Sequence, residues 1–136
     1  MSKDNIIIDK TFAFSIRIVN LYKILQSSHK EFILSKQLLR SGTSIGVNVN
    51  EAQAAHAGAM RLNPAVKRGQ STKDFLSKLS IASKEARETK YWIDLLVATN
   101  FINKNHKSIQ SLLSDIDEIN KLLTSIIKTT QERRVK

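Results

Sequence analysis

The sequence predicts an all-α fold, an up-and-down antiparallel four-helix bundle with left-handed packing. Four long stretches repeat apolar residues at intervals of three and four, the spacing that places side chains on one stripe of an α-helix. No stretch alternates apolar and polar residues at the interval of two that a strand needs. The chain has 136 residues, and four Gly and one Pro leave few points at which a helix would break. We therefore expect a single domain over residues 1–136, with helices at about 9–28, 31–57, 72–99 and 105–130.

The first predicted helix begins near Asp9, whose carboxylate can cap the first turn. It carries two neighbouring apolar rows, so we expect it to contact two neighbouring helices or a partner subunit. The first row is Phe12, Ile16, Val19 and the stem of Lys23, and the second is Phe14, Ile18, Leu21 and Leu25. A third face carries Lys10, Arg17 and Lys23, and this row is either an ordinary solvated face or a binding stripe for a polyanion.

The second predicted helix has two glycines, Gly42 and Gly46, in its middle. Each glycine costs a helix about 1 kcal/mol relative to Ala, and this cost is usually tolerated where the backbone must approach another element closely. The two positions share one face, which indicates tight packing within the bundle or between subunits, or a contact surface for another helix or a ligand. The inward positions of this helix are Leu34, Leu38, Ile45, Val49 and Ala52.

The periodicity is interrupted over residues 58–71, where Gly58, Pro64 and Gly69 occur. Pro64 disfavours helical geometry at Asn63, so the sequence predicts a loop here. Positive charge is concentrated in and beside this loop, at Arg61, Lys67, Arg68 and Lys73. Such a basic loop either folds around phosphate or is mobile.

The third and fourth predicted helices have the most regular apolar repeats. The inward positions of the third are Phe75, Leu79, Ala82, Ala86, Thr89, Ile93 and Leu96. Those of the fourth are Ile109, Leu112, Ile116, Ile119, Leu123 and Ile126. A seven-residue repeat is typical of left-handed helix packing. Tyr91 and Trp92 either stack on bases or pack in the core or at an interface.

The formal net charge is +10, from 22 Lys and Arg against 12 Asp and Glu. This excess favours polyanionic partners, with nucleic acid first and an anionic membrane second. Beyond about Thr130 we expect a frayed cationic end. The candidate nucleic-acid contacts are Arg17, Lys23, Arg61, Lys67, Arg68, Lys73, Arg133 and Arg134. Cys is absent and no apolar run reaches the roughly 18 residues that cross a bilayer, so we expect a cytoplasmic protein.

The sequence contains no motif that predicts catalysis. The Glu-x-x-His pattern of ferritin-like metal sites is absent, and Glu85 and Glu88 have enough cations nearby to form surface ion pairs. The three histidines all fall at predicted helix ends, where solvated side chains are expected: His29, His56 and His106. Glycine-rich phosphate loops, nucleophile elbows and dinucleotide fingerprints are also absent. We therefore predict no catalytic residue, no metal, no cofactor and no enzymatic activity.

Two segments carry a family resemblance: QLLRSGTSIGVNVNEA at 37–52 and DFLSKLSIASKEARETKYW at 74–92. They resemble the bacterial four-helix bundle family of the 23S ribosomal RNA intervening-sequence proteins. Members are often encoded inside intervening sequences of the large ribosomal RNA gene. A relative is the accessory variability determinant of diversity-generating retroelements, a basic protein that associates with reverse transcriptase and nucleic acid.

The resemblance implies an up-and-down bundle that assembles as a homopentamer, with a positive surface proposed to bind RNA or DNA and with no catalysis. On this resemblance Ser44, Asn48 and Glu51 match recurring polar positions, which implies a buried or interfacial hydrogen-bond network. This chain departs from the family's pattern by inserting roughly a dozen residues between the two segments. The insertion is either decoration or a strand-contacting arm.

Two functions follow as hypotheses. The first is a nonenzymatic homo-oligomer that binds RNA or DNA through surface Lys and Arg with little sequence readout. The alternative is a protein-interaction scaffold, or an accessory subunit that docks a nucleic-acid enzyme. A membrane-surface role ranks below both, because the helices need their apolar faces for the bundle.

Overall fold

The computed structural model describes residues 3–61 and 68–135, and every regular element in those ranges is an α-helix. The helices are α1 (Lys3–Ser27), α2 (Leu34–Arg61), α3 (Arg68–Ala98) and α4 (Lys107–Val135). Side chains are described over 5–56 and 69–134. The predicted all-α fold is confirmed.

The four helices form a closed ring in which each packs against two neighbours. α2 lies between α1 and α3, and α4 completes the ring by contacting α3 and α1. Cross-helix bonds show the directions: Arg17 of α1 reaches Asp115 of α4, whereas Lys10, two turns earlier, reaches Glu118. Residue numbers rise along one helix as they fall along its neighbour, so adjacent helices are antiparallel and the up-and-down topology is confirmed.

The core consists of the positions that helical periodicity predicts. All seven inward positions of α3 and all six of α4 are buried, as are Phe14, Ile18, Leu21 and Leu25 of α1. In α2 four of the five predicted positions are fully buried, and Leu34 packs against the core from its edge. The first apolar row of α1 differs, because Phe12 and Ile16 are 64% and 49% exposed.

Helix α1 begins at Lys3, which corrects the predicted start at Asp9. The reason is burial, since Ile7 lies one turn before Thr11 and belongs to the core. The Thr11 hydroxyl also donates a hydrogen bond to the Ile7 carbonyl at 2.7 Å within this part of the helix. Packing of Ile7 in the core therefore extends the helix before Asp9, and Asp9 is not its N-terminal cap.

Helix α2 begins at Leu34, three residues after the predicted start at Glu31. Lys30 adopts a left-handed backbone conformation with φ of 54°, which turns the chain. The Glu31 carboxylate then accepts hydrogen bonds from the Ile33 and Ser35 amides at 2.8 and 2.9 Å. Glu31 thus caps α2 with its side chain and does not belong to the helix.

Helix α3 ends at Ala98 in a Schellman motif. Asn100 has φ of 67°, and its amide donates to the Val97 carbonyl while the Phe101 amide donates to the Leu96 carbonyl. This motif places Phe101 against the core at the start of the connection to α4.

Three other boundaries differ from the predictions. α4 continues to Val135, so the prediction of a frayed end over residues 131–136 is wrong for residues 131–135. α2 extends to Arg61 and α3 begins at Arg68, so both ends of the predicted basic loop 58–71 are helical. Residues 62–67, which include Pro64 and Lys67, lie outside the described residues.

The two glycines of α2 allow close packing against α1. A Cβ atom at position 42 would lie 2.9 Å from both Cγ1 and Cγ2 of Ile18, closer than carbon atoms approach without strain. At position 46 a Cβ atom would lie 3.3 Å from the Ser15 hydroxyl. The prediction of tight helix packing is confirmed, and the contact is within the bundle.

Candidate nucleic-acid interface

Charges at mid-length of the bundle are paired across helix interfaces. Arg40 of α2 forms ion pairs with Glu85, at 3.3 Å, and with Glu88 of α3. Glu85 is only 7% exposed, so its pairing with Arg40 compensates for its removal from water. Ion pairing of these two glutamates is confirmed, but the partner lies on another helix and Glu85 is not a surface residue.

Arg17 binds α4 through both ends of its guanidinium group. Nη1 donates to Asp115 at 2.6 Å and to the Ser111 hydroxyl at 3.0 Å, and Nη2 donates to the Ser108 carbonyl at 2.8 Å. The Lys10 ammonium pairs with Glu118 at 2.5 Å. Two of the three cations in the predicted row of α1 therefore tie α1 to α4, and only Lys23 is exposed without an ion pair among the described residues.

The Lys10 pair changes the titration of Glu118. The hydrogen bond from Lys10, and then its charge, lower the pKa of this carboxyl below its ordinary value. Because the pKa is lowered in the folded protein, the pair contributes to folding stability above the ordinary pKa of glutamate. This contribution is lost as the pH falls through the lowered pKa and the carboxyl is protonated.

We expect Lys10→Gln to raise the pKa of Glu118 toward the ordinary value, because it removes both the hydrogen bond and the charge. Lys121→Gln is the matched control, since Lys121 contributes only a weaker charge effect on the same carboxyl. Carboxyl ¹³C NMR titration measures both variants. An equal rise in the two variants would contradict the assignment of the shift to the Lys10 pair.

The remaining predicted contacts do not form one site. Lys23 lies near the end of α1, whereas Lys73 lies near the start of α3, at the opposite end of the bundle. Arg133 and Arg134 lie in the last turn of α4, also at that opposite end, and both are exposed. The side chains of Arg61, Lys67 and Arg68 are outside the described residues.

Of the three polar positions predicted in α2, only Ser44 and Asn48 bond to each other. The Asn48 side-chain amide donates to the Ser44 carbonyl at 2.9 Å and lies 3.1 Å from the Ser44 hydroxyl. Both residues are half-buried. Glu51 is exposed and has no hydrogen-bond partner in the part of the chain that the structure describes. A buried network of all three residues is therefore wrong within this chain, and an interfacial role stays a prediction.

One end of the bundle carries cations without acidic partners, and we call it the basic tip. The tip comprises the 28–33 and 99–106 connections with the adjoining helix ends. Its exposed basic residues are Lys23, His29, Lys30, Lys36, Lys104, His106 and Lys107. None of its lysines has an ion pair among the described side chains. The local acids are occupied, because Glu31 caps α2 and Asp94 pairs with Lys90.

Two helices also begin at the basic tip. Neither α2 nor α4 has an acidic residue in its first turn. The α4 N-terminus is capped by His106, whose Nδ1 accepts from the Ser108 amide at 3.1 Å. The positive end of the α4 dipole is therefore not offset by a capping carboxylate and adds to the field of the lysines.

A cavity of about 1,070 Å³ opens at the basic tip between α1, the 99–106 connection and α4. Its lining includes Arg17, His29, Lys104 and His106 and contains no acidic residue. His29 and the 99–106 connection thus face the same space although they are far apart in sequence.

Sequence reasoning missed the basic tip. The signal was present, since residues 10–30, 32–50 and 95–114 contain no Asp or Glu. Only the antiparallel arrangement brings parts of these three stretches to one end. One aromatic contact was also missed: His56 stacks on Phe75 with 4.5 Å between the ring centroids and is not simply solvated. Trp92 packs against the core, which was one of the predicted alternatives, whereas Tyr91 is exposed.

Two further findings concern only the described residues. No three His, Asp or Glu side chains converge there as a metal site would require. No described helix combines the length and apolar character that crossing a membrane requires.

Four antiparallel helices with paired charges at mid-length and an acid-poor cationic end define a basic four-helix-bundle protein. The chain belongs to the 23S rRNA-intervening sequence protein family, whose model matches residues 3–125. It is similar to a solved structure from Bacteroides thetaiotaomicron, a protein with unknown function from the S23 ribosomal protein family. The two are 49% identical, with 93% of this chain and 99% of that chain covered and a TM-score of 0.76. Comparison with curated proteins found no match.

Proposed function

We propose that this protein is a nonenzymatic homo-oligomer that binds RNA or DNA through surface Lys and Arg, with little sequence readout. The observation that carries the proposal is the basic tip, where lysines on three helix ends and two connections lie without acidic partners among the described side chains. Lysines of this kind neutralise phosphates and release counterions, and this interaction carries no sequence information.

The contrast between the mid-length charges and the tip charges supports a ligand at the tip. Arg17 and Arg40 are neutralised within the bundle by carboxylates of the neighbouring helices. Lys30, Lys104 and Lys107 are exposed on connections or helix starts and lack such partners among the described side chains. An uncompensated cluster of like charges disfavours the folded state, and a polyanion relieves that repulsion.

The absence of catalysis is part of the proposal. Glu85, Glu88, Asp115 and Glu118 are each paired with a cation, so none is held as a free acid or base. His106 uses its Nδ1 atom to cap α4. These assignments favour binding over general acid-base chemistry at the described sites.

Self-association is supported by an outward apolar stripe on α1, which we call the α1 ridge: Phe12, Ile16 and Val19. These residues are spaced by four and three, so they share one face of the helix, on which Phe12 and Ile16 are exposed and Val19 is half-buried. Exposed strips of this kind mark protein interfaces. We propose that a second copy covers the ridge; the homopentameric count and the cytoplasmic location rest on family resemblance and composition.

The alternative function, a scaffold or accessory subunit that docks a nucleic-acid enzyme, is favoured by the same ridge. Measuring the mass of the purified protein in solution distinguishes the homo-oligomer from the scaffold. If the ridge joins copies of this chain, Phe12→Ser with Ile16→Ser lowers the mass of the assembly. If the parent protein is already a monomer at micromolar concentration, the ridge is left for another protein and the scaffold is favoured.

We expect Lys30→Gln, Lys104→Gln and Lys107→Gln together to weaken binding of a labelled oligonucleotide and to flatten its salt dependence. Each lost phosphate contact lowers the slope of log affinity against log salt by about 0.7 on single strands and about 0.9 on duplex DNA. Loss of three contacts therefore lowers it by roughly 2 to 3. Fluorescence anisotropy over a salt series measures both quantities.

The matched control replaces three exposed lysines away from the tip: Lys84, Lys121 and Lys128. Both triple variants lower the formal net charge from +10 to +7, because each loses three positive charges. The control is expected to keep the parent slope. Equal losses in the two variants would assign binding to net charge and not to the tip, and absence of binding by the parent at low salt would refute the proposed function. A third variant, with Arg61, Lys67, Arg68 and Lys73 all replaced by Gln, tests the predicted basic loop.

A further inference from the structure

We propose that the cavity at the basic tip binds one nucleotide, with the base inside the cavity and the phosphate beside its cationic residues. This inference rests on the proposed function and assigns a specific pocket to it. The nucleotide is either an unstacked residue of a single-stranded nucleic acid or a free mononucleotide, since both present the same chemistry.

The cavity has the size and position of a ligand site. Its volume of about 1,070 Å³ is slightly above the range usual for small-molecule pockets, so a nucleotide fits with room for the strand to enter and leave. It lies at the end of the bundle and is lined by residues of α1, the end of α3, the 99–106 connection and the start of α4. The cavity is open to solvent, so an unstacked base can enter it from outside the bundle.

Part of the cavity lining is apolar and exposed. Ile24 lines it and is 51% exposed, and Phe101 lines it from the Schellman motif that ends α3. Apolar surface that faces a water-filled cavity is stabilised when a flat apolar group covers it. A nucleobase supplies such a face, and stacking on an aromatic or apolar side chain tolerates every base.

The lining also includes four asparagines: Asn20, Asn100, Asn103 and Asn105. Asn103 uses its side-chain oxygen to accept from the Asn105 amide, which shapes the connection. The side-chain amides of Asn20 and Asn105 make no hydrogen bond within the described residues. A carboxamide offers a donor and an acceptor side by side, the combination that base edges present in return.

The charged part of the lining selects for an anion. Lys104, His29 and His106 line the cavity and are exposed, and the lining lacks any carboxylate that would attract a cation instead. Asp115 partly neutralises Arg17, whereas Lys104 in the lining and the adjacent exposed Lys107 have no ion pair among the described side chains. A lining that combines apolar, amide and cationic groups matches a nucleotide better than it matches an apolar helix, which would leave the amides unpaired.

The test fills the cavity without changing charge. Ile24→Trp places a large side chain in the cavity, and Ile33→Trp is the matched control because Ile33 is 75% exposed at the same end but does not line the cavity. The probes are a labelled single-stranded 12-mer RNA and an abasic strand of the same length and phosphate number. We expect the parent and Ile33→Trp to bind the intact strand about tenfold more tightly than the abasic strand, as loss of a base stack predicts.

Ile24→Trp is expected to bind both strands equally, at the affinity of the abasic strand, with the salt slope of the parent. Asn20→Leu with Asn105→Leu is a second variant that removes these two side-chain amides without filling the space, and it is expected to reduce the preference for the intact strand. Circular dichroism verifies that each variant is folded.

The outcomes separate this inference from the proposed function. Salt-dependent binding with equal affinity for intact and abasic strands overturns the nucleotide pocket and leaves the proposed function standing. If neither strand binds at low salt, the proposed function fails; the pocket then stands only if adenosine monophosphate binds the parent, in preference to inorganic phosphate, and does not bind Ile24→Trp. A lower assembly mass for Ile24→Trp, measured by sedimentation, would instead identify the cavity as a contact between copies and overturn the inference.

Discussion

Phe14→Ala is expected to lower the free energy of unfolding by about 3 to 5 kcal/mol, the usual cost of removing a fully buried phenylalanine. Phe14 is 1% exposed and belongs to the central core cluster. Its loss removes buried apolar area and leaves a cavity among helices that cannot close it without moving. Urea unfolding followed by circular dichroism measures the change, and an unchanged m-value shows that the unfolding transition remains comparable.

Phe12→Ala is the matched control, because it makes the same substitution two residues away on the outward side of α1. Phe12 is 64% exposed, so the free energy of unfolding of the dilute protein is expected to change by no more than about 0.5 kcal/mol. Similar losses in the two variants would contradict the burial pattern of α1. If the α1 ridge joins subunits, Phe12→Ala lowers the assembly mass and Phe14→Ala affects mainly folding.

Gly42→Ala is expected to lower the free energy of unfolding by about 2 kcal/mol, although alanine favours a helix over glycine. The gain in helix propensity is about 1 kcal/mol, whereas forcing a methyl group into a packed core costs up to about 3 kcal/mol. The methyl group would meet both γ-carbons of Ile18 at 2.9 Å, and the Ile18 Cβ at 3.3 Å limits how far that side chain can turn away. Thermal or urea unfolding measures the loss.

Gly69→Ala is the matched control, since a Cβ atom there meets nothing within 4 Å. It is expected to be neutral or to stabilise the protein by up to about 1 kcal/mol. Adding Ile18→Ala to Gly42→Ala should recover part of the stability that the two single changes lose separately, because the smaller side chain gives the new methyl group space. Strictly additive losses would show that the two residues do not meet.

The distribution of charge separates structural cations from those available to a ligand. Arg17, Lys10 and Arg40 join neighbouring helices through carboxylates, and they set the axial register of α1 against α4 and of α2 against α3. The lysines of the basic tip perform no such role among the described residues. The proposed function and the nucleotide pocket both follow from this second group.

The fold was predictable because each helix shows its buried face in its own sequence. Six apolar residues of α4 and the seven inward positions of α3 recur at the helical period, and all of them are buried. Periodicity was least informative at the helix ends. Glu31 looked like the first residue of α2, but its carboxylate caps the helix from outside, and Lys30 turns the chain with a positive φ.

The candidate site was only partly predictable. Net charge indicated a polyanionic partner, but it did not distinguish Arg17, which is bound to Asp115, from Lys104, which is exposed. The two residues are far apart in sequence and line the same cavity. Their different surroundings depend on which helices are neighbours.

The sequence by itself determined that four amphipathic helices form an all-α bundle with a large positive charge, because the period of a helix is a local property of the chain. Only the tertiary structure decided which cations are neutralised, that Gly42 packs on Ile18, and that the acid-poor stretches meet at one tip around a cavity. The reason is that pairings between helices depend on their rotation and axial register. Those are set by the fit of all four helices together and by no single segment.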